Sequence, residues 1–179
     1  MRAAASCLLL LSALTVACVD NSGGPPPPGE PIDFQPVFLE SPLSCQLFQD
    51  AAFLLRRGEP LDDFLDECAA ASGSAALAEL EAEVDALADE AGLVVTVVQL
   101  GGCIEEHAIV SVYRDGDTLR PWVLKGDSAY GREGVGCPAD IGEAIEVLRV
   151  IDRGGATTAE PHIGIYNPDL PGAPPLPGG

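Results

Sequence analysis

The chain has 179 residues and is strongly acidic, with 28 Asp and Glu against nine Lys and Arg and a formal net charge of −19. Nucleic-acid binding depends on Lys and Arg that neutralise phosphates, so this charge excludes nucleic acid as a partner. The acidity is typical of a solvated surface, and the sequence contains no D-x-D-x-D-G loop that would form a defined calcium site.

Residues 1–17 have the pattern of a secretory signal peptide. Arg2 is followed by an apolar run over residues 3–16 and then by Ala17, a small residue suited to a cleavage site. The run is shorter than the roughly 20 residues that a membrane-spanning helix needs. We therefore expect this segment to direct export and to be removed.

The sequence Leu14-Thr15-Val16-Ala17-Cys18 resembles the lipobox of bacterial lipoproteins. The resemblance implies cleavage before Cys18 and a diacylglycerol on its thiol, with fatty acyl groups such as palmitate holding the chain to a membrane. It places the protein in the bacterial cell envelope, at the outer membrane or facing the periplasm. Ordinary secretory cleavage after Ala17 stays open as the alternative, because Thr15-Val16-Ala17 also suits the general signal peptidase.

Two Pro- and Gly-rich segments flank a region of the size of one domain. Residues 18–36 include four consecutive prolines and no apolar period, which predicts an extended spacer. At about 3.1 Å per residue, the part of this spacer from Val19 to Pro31 could hold a domain up to roughly 40 Å from a bilayer. The tail, residues 168–179, is predicted to be disordered. Residues 37–167 are enough for one hydrophobic core.

Residues 37–92 are predicted to form a helical subdomain. Ser44 and Gly58 bracket a first helix, Pro60 opens a second, and a third runs from about Ala75 to Ala91. Each predicted helix has apolar residues at helical spacing, which we interpret as stripes that face the core. The stripes are Cys45, Phe48, Ala52 and Leu55; Leu61, Phe64, Leu65 and Cys68; and Leu77, Leu80, Val84 and Leu87.

Residues 93–167 are predicted to form a β subdomain. Residues 93–100 are an apolar, β-branched run typical of a buried strand. Asp115-Gly116 predicts a hairpin between strands on either side of it. Pro121 indicates that the second strand of this hairpin lies at an edge.

The remainder of this subdomain is less uniform. A glycine-rich loop over residues 126–138 follows the hairpin, and residues 162–166 are predicted to form the last strand. The apolar pattern of residues 141–151 fits either a helix or a strand.

Besides Cys18, four cysteines remain after cleavage, and an even count in an oxidising compartment predicts two disulfides. Three pairings are possible. We favour Cys45 with Cys68, because the first two predicted helices would run antiparallel and bring these residues to facing stripes. The second pair is then Cys103 with Cys137.

The cysteines and histidines of the β subdomain allow two alternative chemical sites. Cys103, His107, Cys137 and His162 have the ligand types of a structural zinc site, but their spacings are scattered and exported cysteines usually oxidise. We therefore assign no metal and no cofactor.

The segment His162-Ile163-Gly164-Ile165-Tyr166 resembles the strand that carries the catalytic histidine in papain-like cell-wall peptidases. That resemblance implies, as an alternative function, an envelope cysteine hydrolase in which Cys103 or Cys137 acts with His162.

A second resemblance covers residues 93–166. Gly101-Gly102-Cys103, His107 before a strand, and Cys137-x-Ala139-x-Ile141-x-Glu143 resemble a recurring all-β module of exported bacterial proteins, many of them lipoproteins. The resemblance implies that the two cysteines pair and that residues 141–151 form a strand. It implies no known activity.

The sequence thus predicts an α+β fold, with an N-terminal helical segment followed by a small antiparallel β-sandwich-like domain. We expect no enzyme activity and no catalytic residues. The expected function is that of a lipid-anchored envelope protein, attached through Cys18, that binds an unidentified envelope protein or ligand or supports envelope structure.

Overall fold

The computed structural model describes residues 21–132, 134, 136–137, 141–153 and 155–176. The predicted signal peptide and Cys18 lie outside the described residues. The strands are β1 (Glu30–Ile32), β2 (Phe34–Val37), β3 (Ala51–Leu55), β4 (Ala91–Gly101), β5 (Ile104–Asp115), β6 (Thr118–Asp127), β7 (Ile141–Ile151), β8 (Thr158–Ala159) and β9 (His162–Tyr166). The helices are α1 (Asp62–Cys68) and α2 (Ser74–Asp85).

The strands form two sheets, so the fold is mostly β with two helices. One sheet has the order β1-β5-β6-β8, with β9 also pairing with β6, and the other has the order β2-β7-β4-β3. The pairs are antiparallel except that β8 and β9 run parallel to β6. The ambiguous segment 141–151 is the strand β7, which pairs with β4 along its whole length.

The core lies in two layers on either side of β4, whose residues 91–98 are all buried. Leu93, Val95 and Val97 pack with α1 and α2 in one cluster. Val94 packs in a second cluster with Val112 and Leu119 of the other sheet. The molecule therefore has three layers, with the helices on one face of the second sheet and the first sheet on its other face. Because β4 is buried on both faces, it is apolar at nearly every position, as its sequence predicted.

The first predicted helix is absent, which corrects the prediction for residues 44–57. Residues 51–55 are instead the edge strand β3, paired with β4 from Leu93 to Val97. The apolar residues of this segment fit a buried strand as well as one face of a helix. The segment forms a strand because β4 has an unpaired edge with which its backbone can pair. The third predicted helix is shorter than expected, because α2 ends at Asp85 and β4 already includes Ala91.

The predicted spacer contains two strands. β1 pairs with β5 and β2 pairs with β7, each at the edge of its sheet. Pro31 and Pro36 lie in these edge strands, where a missing backbone N–H is tolerated. The absence of an apolar period did not prevent pairing, because backbone groups of neighbouring strands supply the bonds.

The fold also extends to Asn21, near the start of the described residues. The Asn21 side chain is buried, and its Nδ2 donates to the carbonyl oxygens of Asn167 at 2.9 Å and Leu170 at 3.2 Å. The Asn167 backbone N–H donates in return to Asn21 Oδ1 at 2.5 Å. Residues from the predicted spacer and from the predicted tail are therefore bonded to each other.

Pro121 does not mark an edge strand, since β6 has β5 on one side and β8 and β9 on the other. β8 pairs with Thr118 and Leu119, and β9 pairs from Trp122 onward. Pro121 occupies the gap between these two pairings. The missing N–H therefore falls where the parallel ladder is interrupted.

We expect Gly164→Ala to destabilise the packing of the N-terminal segment on β9. A Cβ at position 164 would overlap the backbone carbonyl of Gly23 and approach the Leu124 side chain. Overpacking of this kind costs about 1–3 kcal/mol of unfolding free energy, measurable by urea denaturation. Gly136→Ala is the matched control, because a Cβ there meets open space. Equal stability of the two variants would contradict the packing of Gly23 on β9.

Candidate functional site

The four cysteines form two disulfides, Cys45 with Cys68 and Cys103 with Cys137. This is the pairing that the sequence analysis favoured. The predicted pair of antiparallel helices, however, does not account for the Cys45–Cys68 disulfide. Cys68 ends α1 as expected, but Cys45 lies in the irregular segment 38–50 that leads into β3 rather than on a helix.

The two disulfides differ in their surroundings. Cys45 and Cys68 are both buried in the core cluster under the helices. Cys103 lies between β4 and β5, and its partner Cys137 is exposed at the end of the glycine-rich loop. Only the second disulfide is open to reagents in the folded protein.

Neither histidine is placed to act with the second disulfide. His162 lies far from it along the sheet, and His107 contacts a carboxylate of the other sheet. His162 is opposite Trp122 on β6, and its Nε2 lies 3.2 Å from the Pro25 carbonyl oxygen. The Cys103 carbonyl accepts a hydrogen bond from the Ser128 backbone N–H. Ser128 is six positions after Trp122, which corresponds to roughly 20 Å along a strand. His107 Nε2 lies 3.2 Å from Glu146 Oε1 on the other sheet.

Among the described residues, one group has the composition of a metal site. Ligand atoms of Cys103, Asp127 and Cys137 lie within 4.8 Å of one another. The two sulfurs are bonded to each other, however, and metal binding by cysteine requires the thiolate. In the disulfide form only the Asp127 carboxylate is left to bind a cation.

Charged side chains join the two sheets at the end of the molecule where the Cys103–Cys137 disulfide lies. No sequence pattern predicted them. Lys125 of β6 is buried, and its Nζ lies 2.6 Å from Asp50 Oδ1 and 2.9 Å from the Gln99 carbonyl oxygen. Asp50 Oδ1 also accepts from the Gln99 backbone N–H at 2.7 Å. A buried lysine is stable only with such partners. This ion pair therefore fixes β6 against the second sheet.

A second buried charge, Asp152, lies just after β7 at the opposite end of the strands. Its side chain is 1% exposed, and its carboxylate accepts from Arg56 Nη2 at 2.7 Å and from the Ala156 backbone N–H at 2.6 Å. Arg114 Nε of β5 lies 3.3 Å from the other oxygen. Asp152 thus joins β5, β7 and the end of β3 through one carboxylate.

The carboxylate of Glu143, on β7, holds the segment around Cys45. It accepts from Ser44 Oγ at 2.7 Å and from the backbone N–H groups of Cys45 at 2.7 Å and Gln46 at 2.9 Å. Burial raises the pKa of Glu143, but the hydrogen bonds to its ionised form outweigh burial, so the net pKa is lower than usual. Glu143 is thus a structural acceptor.

We expect Glu143→Gln to lower the unfolding free energy by about 2 kcal/mol near neutral pH, because hydrogen bonds to a charged group are lost. A carboxylate whose pKa is lowered in the folded state adds stability above its unfolded pKa, about 4.3, and this stability is lost as pH falls through the folded value. The difference between wild type and variant should therefore shrink in urea titrations below that pH. Glu81→Gln, at an exposed position of α2, is the control and should change little at any pH.

A second carboxylate holds the other part of the segment 38–50. Glu79 of α2 accepts from Ser41 Oγ at 2.7 Å and from the backbone N–H groups of Glu40 and Ser41. The Ser41 side-chain and backbone hydrogen bonds lower the pKa of Glu79. The segment is thus tied at Glu79, at Glu143 and by a disulfide, although it contains no helix or strand. Its two phenylalanines, Phe38 and Phe48, are 91% and 96% exposed.

Comparison with known proteins identifies no relative: no family model, no curated protein and no solved structure matches this chain. Within the described part of the chain, neither helix has the length and hydropathy of a membrane span. The disulfides fit an extracytoplasmic location, where an oxidising environment maintains them.

Proposed function

We propose that this protein is a bacterial envelope lipoprotein, held to the membrane by lipid on Cys18, whose folded domain is a non-catalytic binding or structural module. The observation that carries the proposal is the pair of disulfides, which suits an exported protein. The lipobox-like sequence ending at Cys18 supports the attachment. The outer membrane, or a position facing the periplasm, is the proposed location.

The arrangement of thiols and cations supports a module without catalysis. A cysteine hydrolase needs a thiolate beside its base, whereas Cys103 and Cys137 are bonded to each other. His162 lies on β9 opposite Trp122, away from the end of β6 that adjoins Cys103. Most of the cations in the described part of the chain are also engaged by carboxylates of the chain. Those in ion pairs are Arg56, Arg114, Arg120, Lys125, Arg132, Arg149 and Arg153. A partner is therefore expected to be an unidentified envelope protein or ligand rather than nucleic acid.

Lipid attachment is tested by labelling with a fatty acid in cells. The full-length protein should incorporate label and partition with membranes, because two or three acyl chains make membrane binding stable. Cys18→Ala should abolish both. Cys7→Ala is the matched control, since Cys7 lies in the predicted signal peptide and its loss should leave labelling unchanged. An unlabelled wild-type protein that begins at Cys18 would favour ordinary secretion.

The non-catalytic proposal is tested by counting thiols in protein purified from the envelope. Unfolded without reductant, Cys45, Cys68, Cys103 and Cys137 should not react with an alkylating reagent, and after reduction all of them should. A hydrolase would show one free, reactive thiolate in the folded state. Alkylation of native Cys103 or Cys137 would therefore support the hydrolase and make His162→Ala the next variant.

A further inference from the structure

The position of Asn21 limits how far the domain can lie from a lipid on Cys18. Only Val19 and Asp20 separate Cys18 from Asn21 in the sequence. Three Cα-to-Cα steps span at most about 11 Å, whatever their conformation. Because Asn21 is buried and bonded to Asn167 and Leu170, the folded domain includes Asn21, and no long spacer can lie between it and Cys18.

Asn21 lies at one end of the strands, which we call the Asn21 end. We define it as Asn21 together with residues 44–48, 101–103, 128–132 and 167–171. Asn167 follows β9 and bonds Asn21, and its Nδ2 donates to the carbonyl oxygens of Ser128 and Tyr130. The turn between β4 and β5 lies at this end, because Ile104 is opposite Asp127. Segment 44–48 also lies at this end, because Cys45 is hydrogen-bonded to Glu143. Glu143 is opposite Gln99, two residues before the end of β4. Arg153 lies at the other end, about 33 Å away along the eleven residues of β4.

The Asn21 end differs in charge from the rest of this acidic chain. Its segments contain one cation, Arg132, and one acid, Asp169, and these form an ion pair at 3.3 Å. Two further carboxylates, those of Asp127 and Glu143, lie beside these segments. In contrast, α1 and α2 contain many acids and no Lys or Arg. They pack on the outer face of the second sheet, and the end of α1, at Cys68, is linked to the Asn21 end through Cys45. The Asn21 end is thus less acidic than the helices, so it approaches a bilayer at a lower electrostatic cost than the helical face does.

The Asn21 end also presents side chains suited to a membrane surface. Phe48 is almost fully exposed on a segment that Glu143 and a disulfide hold in place. Tyr130 and Arg132 lie beside the bonds of Asn167. Aromatic rings and arginine are enriched at the level of lipid head groups, where an apolar body and a polar tip are both accommodated.

We propose that the Asn21 end rests directly against the lipid bilayer, with Phe48 and Tyr130 at the head groups, so that the domain is held in one orientation instead of on a stalk. This proposal rests on lipid attachment at Cys18. The proposed partner of the Asn21 end is the lipid surface itself. The experiment below distinguishes it from an envelope protein bound at the same end.

Limited trypsin digestion of the full-length lipoprotein in phosphatidylcholine vesicles tests the orientation. Arg132 is 39% exposed at the Asn21 end, and Arg153 is 81% exposed at the other end. Relative to soluble Cys18→Ala protein, cleavage after Arg132 should slow about tenfold if about nine tenths of the molecules are docked, since only the undocked fraction is cut. Cleavage after Arg153 should be unchanged, with both rates measured by mass spectrometry.

Two variants sharpen the test. Ten Gly and Ser residues inserted between Asp20 and Asn21 should leave membrane partition intact but restore fast cleavage after Arg132, because the insert reaches roughly 30 Å further. Phe48→Ser should partly restore cleavage. Phe38→Ser is its matched control, because Phe38 is equally exposed but lies beside residues 145–147 of β7, away from the end, and it should have no effect.

The outcomes separate the two proposals. Absence of fatty acid label overturns lipid attachment and the orientation together. Labelled protein whose Arg132 is cut as fast as in Cys18→Ala overturns the orientation alone. Protection of Arg132 in native membranes but not in phosphatidylcholine vesicles would mean that an envelope protein covers this end, which overturns the lipid surface as its occupant.

Discussion

Replacing Asp152 by asparagine is expected to lower the unfolding free energy by about 3–5 kcal/mol, because loss of one partner leaves buried charge uncompensated. Asp152 is almost fully buried, and its carboxylate forms ion pairs with Arg56 and Arg114. It also accepts a hydrogen bond from the Ala156 backbone N–H. Asparagine keeps the side-chain volume but removes the charge that holds both guanidinium groups. The urea midpoint should fall while its slope stays constant.

The control for this variant is Glu90→Gln. Glu90 Oε2 lies 3.1 Å from Arg153 Nε, and both side chains are largely exposed. Exposed ion pairs contribute about 0–1 kcal/mol, so this variant should be close to wild type. Comparable losses in the two variants would show that Asp152 does not hold the sheets together.

Removing the Cys45–Cys68 disulfide is the second change with a large expected effect. Closing a loop of this length contributes roughly 3–4 kcal/mol, a large share of the about 5–15 kcal/mol that stabilises a typical domain. Both sulfurs also fill the core under the helices, so Cys45→Ala with Cys68→Ala loses packing as well. The double variant should therefore unfold at markedly lower urea concentration than wild type.

The two disulfides should also differ in their reduction. Dithiothreitol should reduce Cys103–Cys137 in the folded protein, because a thiolate can reach the exposed Cys137 sulfur. Cys45–Cys68 should resist until the core opens, since both residues are buried. Alkylation and peptide mapping over time would measure the two rates. Equal rates in native protein would contradict the burial of the first disulfide.

Local patterns predicted the strands whose burial and turns are encoded in neighbouring residues. β4 was found because its β-branched run is buried on both faces, and the β5–β6 hairpin because Gly116, with φ of 59°, adopts a left-handed turn conformation. Counting cysteines predicted two disulfides, and the Cys103–Cys137 pair followed once Cys45 was paired with Cys68. The strand and turn signals lie within a few residues of the feature that they specify.

The features that were missed depend on contacts between distant residues. β1, β2 and β3 have sequences that suit a spacer or a helix, and each became a strand because another strand offered an unpaired edge. The positions of Asp152 and Glu143 likewise follow from the topology rather than from neighbouring sequence. Their only signal was a carboxylate beside glycine or apolar residues, which many surface residues share.

The position of β7 sets when the chain can finish folding. β7 lies between β2 and β4, and the β5–β6 hairpin that precedes it belongs to the other sheet. A chain that emerges N-terminus first therefore leaves β2 without its neighbour until residue 151 is free. Such long-range closure is slow and exposes apolar edges meanwhile. Cys45 and Cys68, only 23 positions apart, can be linked long before that moment. The first disulfide can therefore form in a chain that is still waiting for its last large strand.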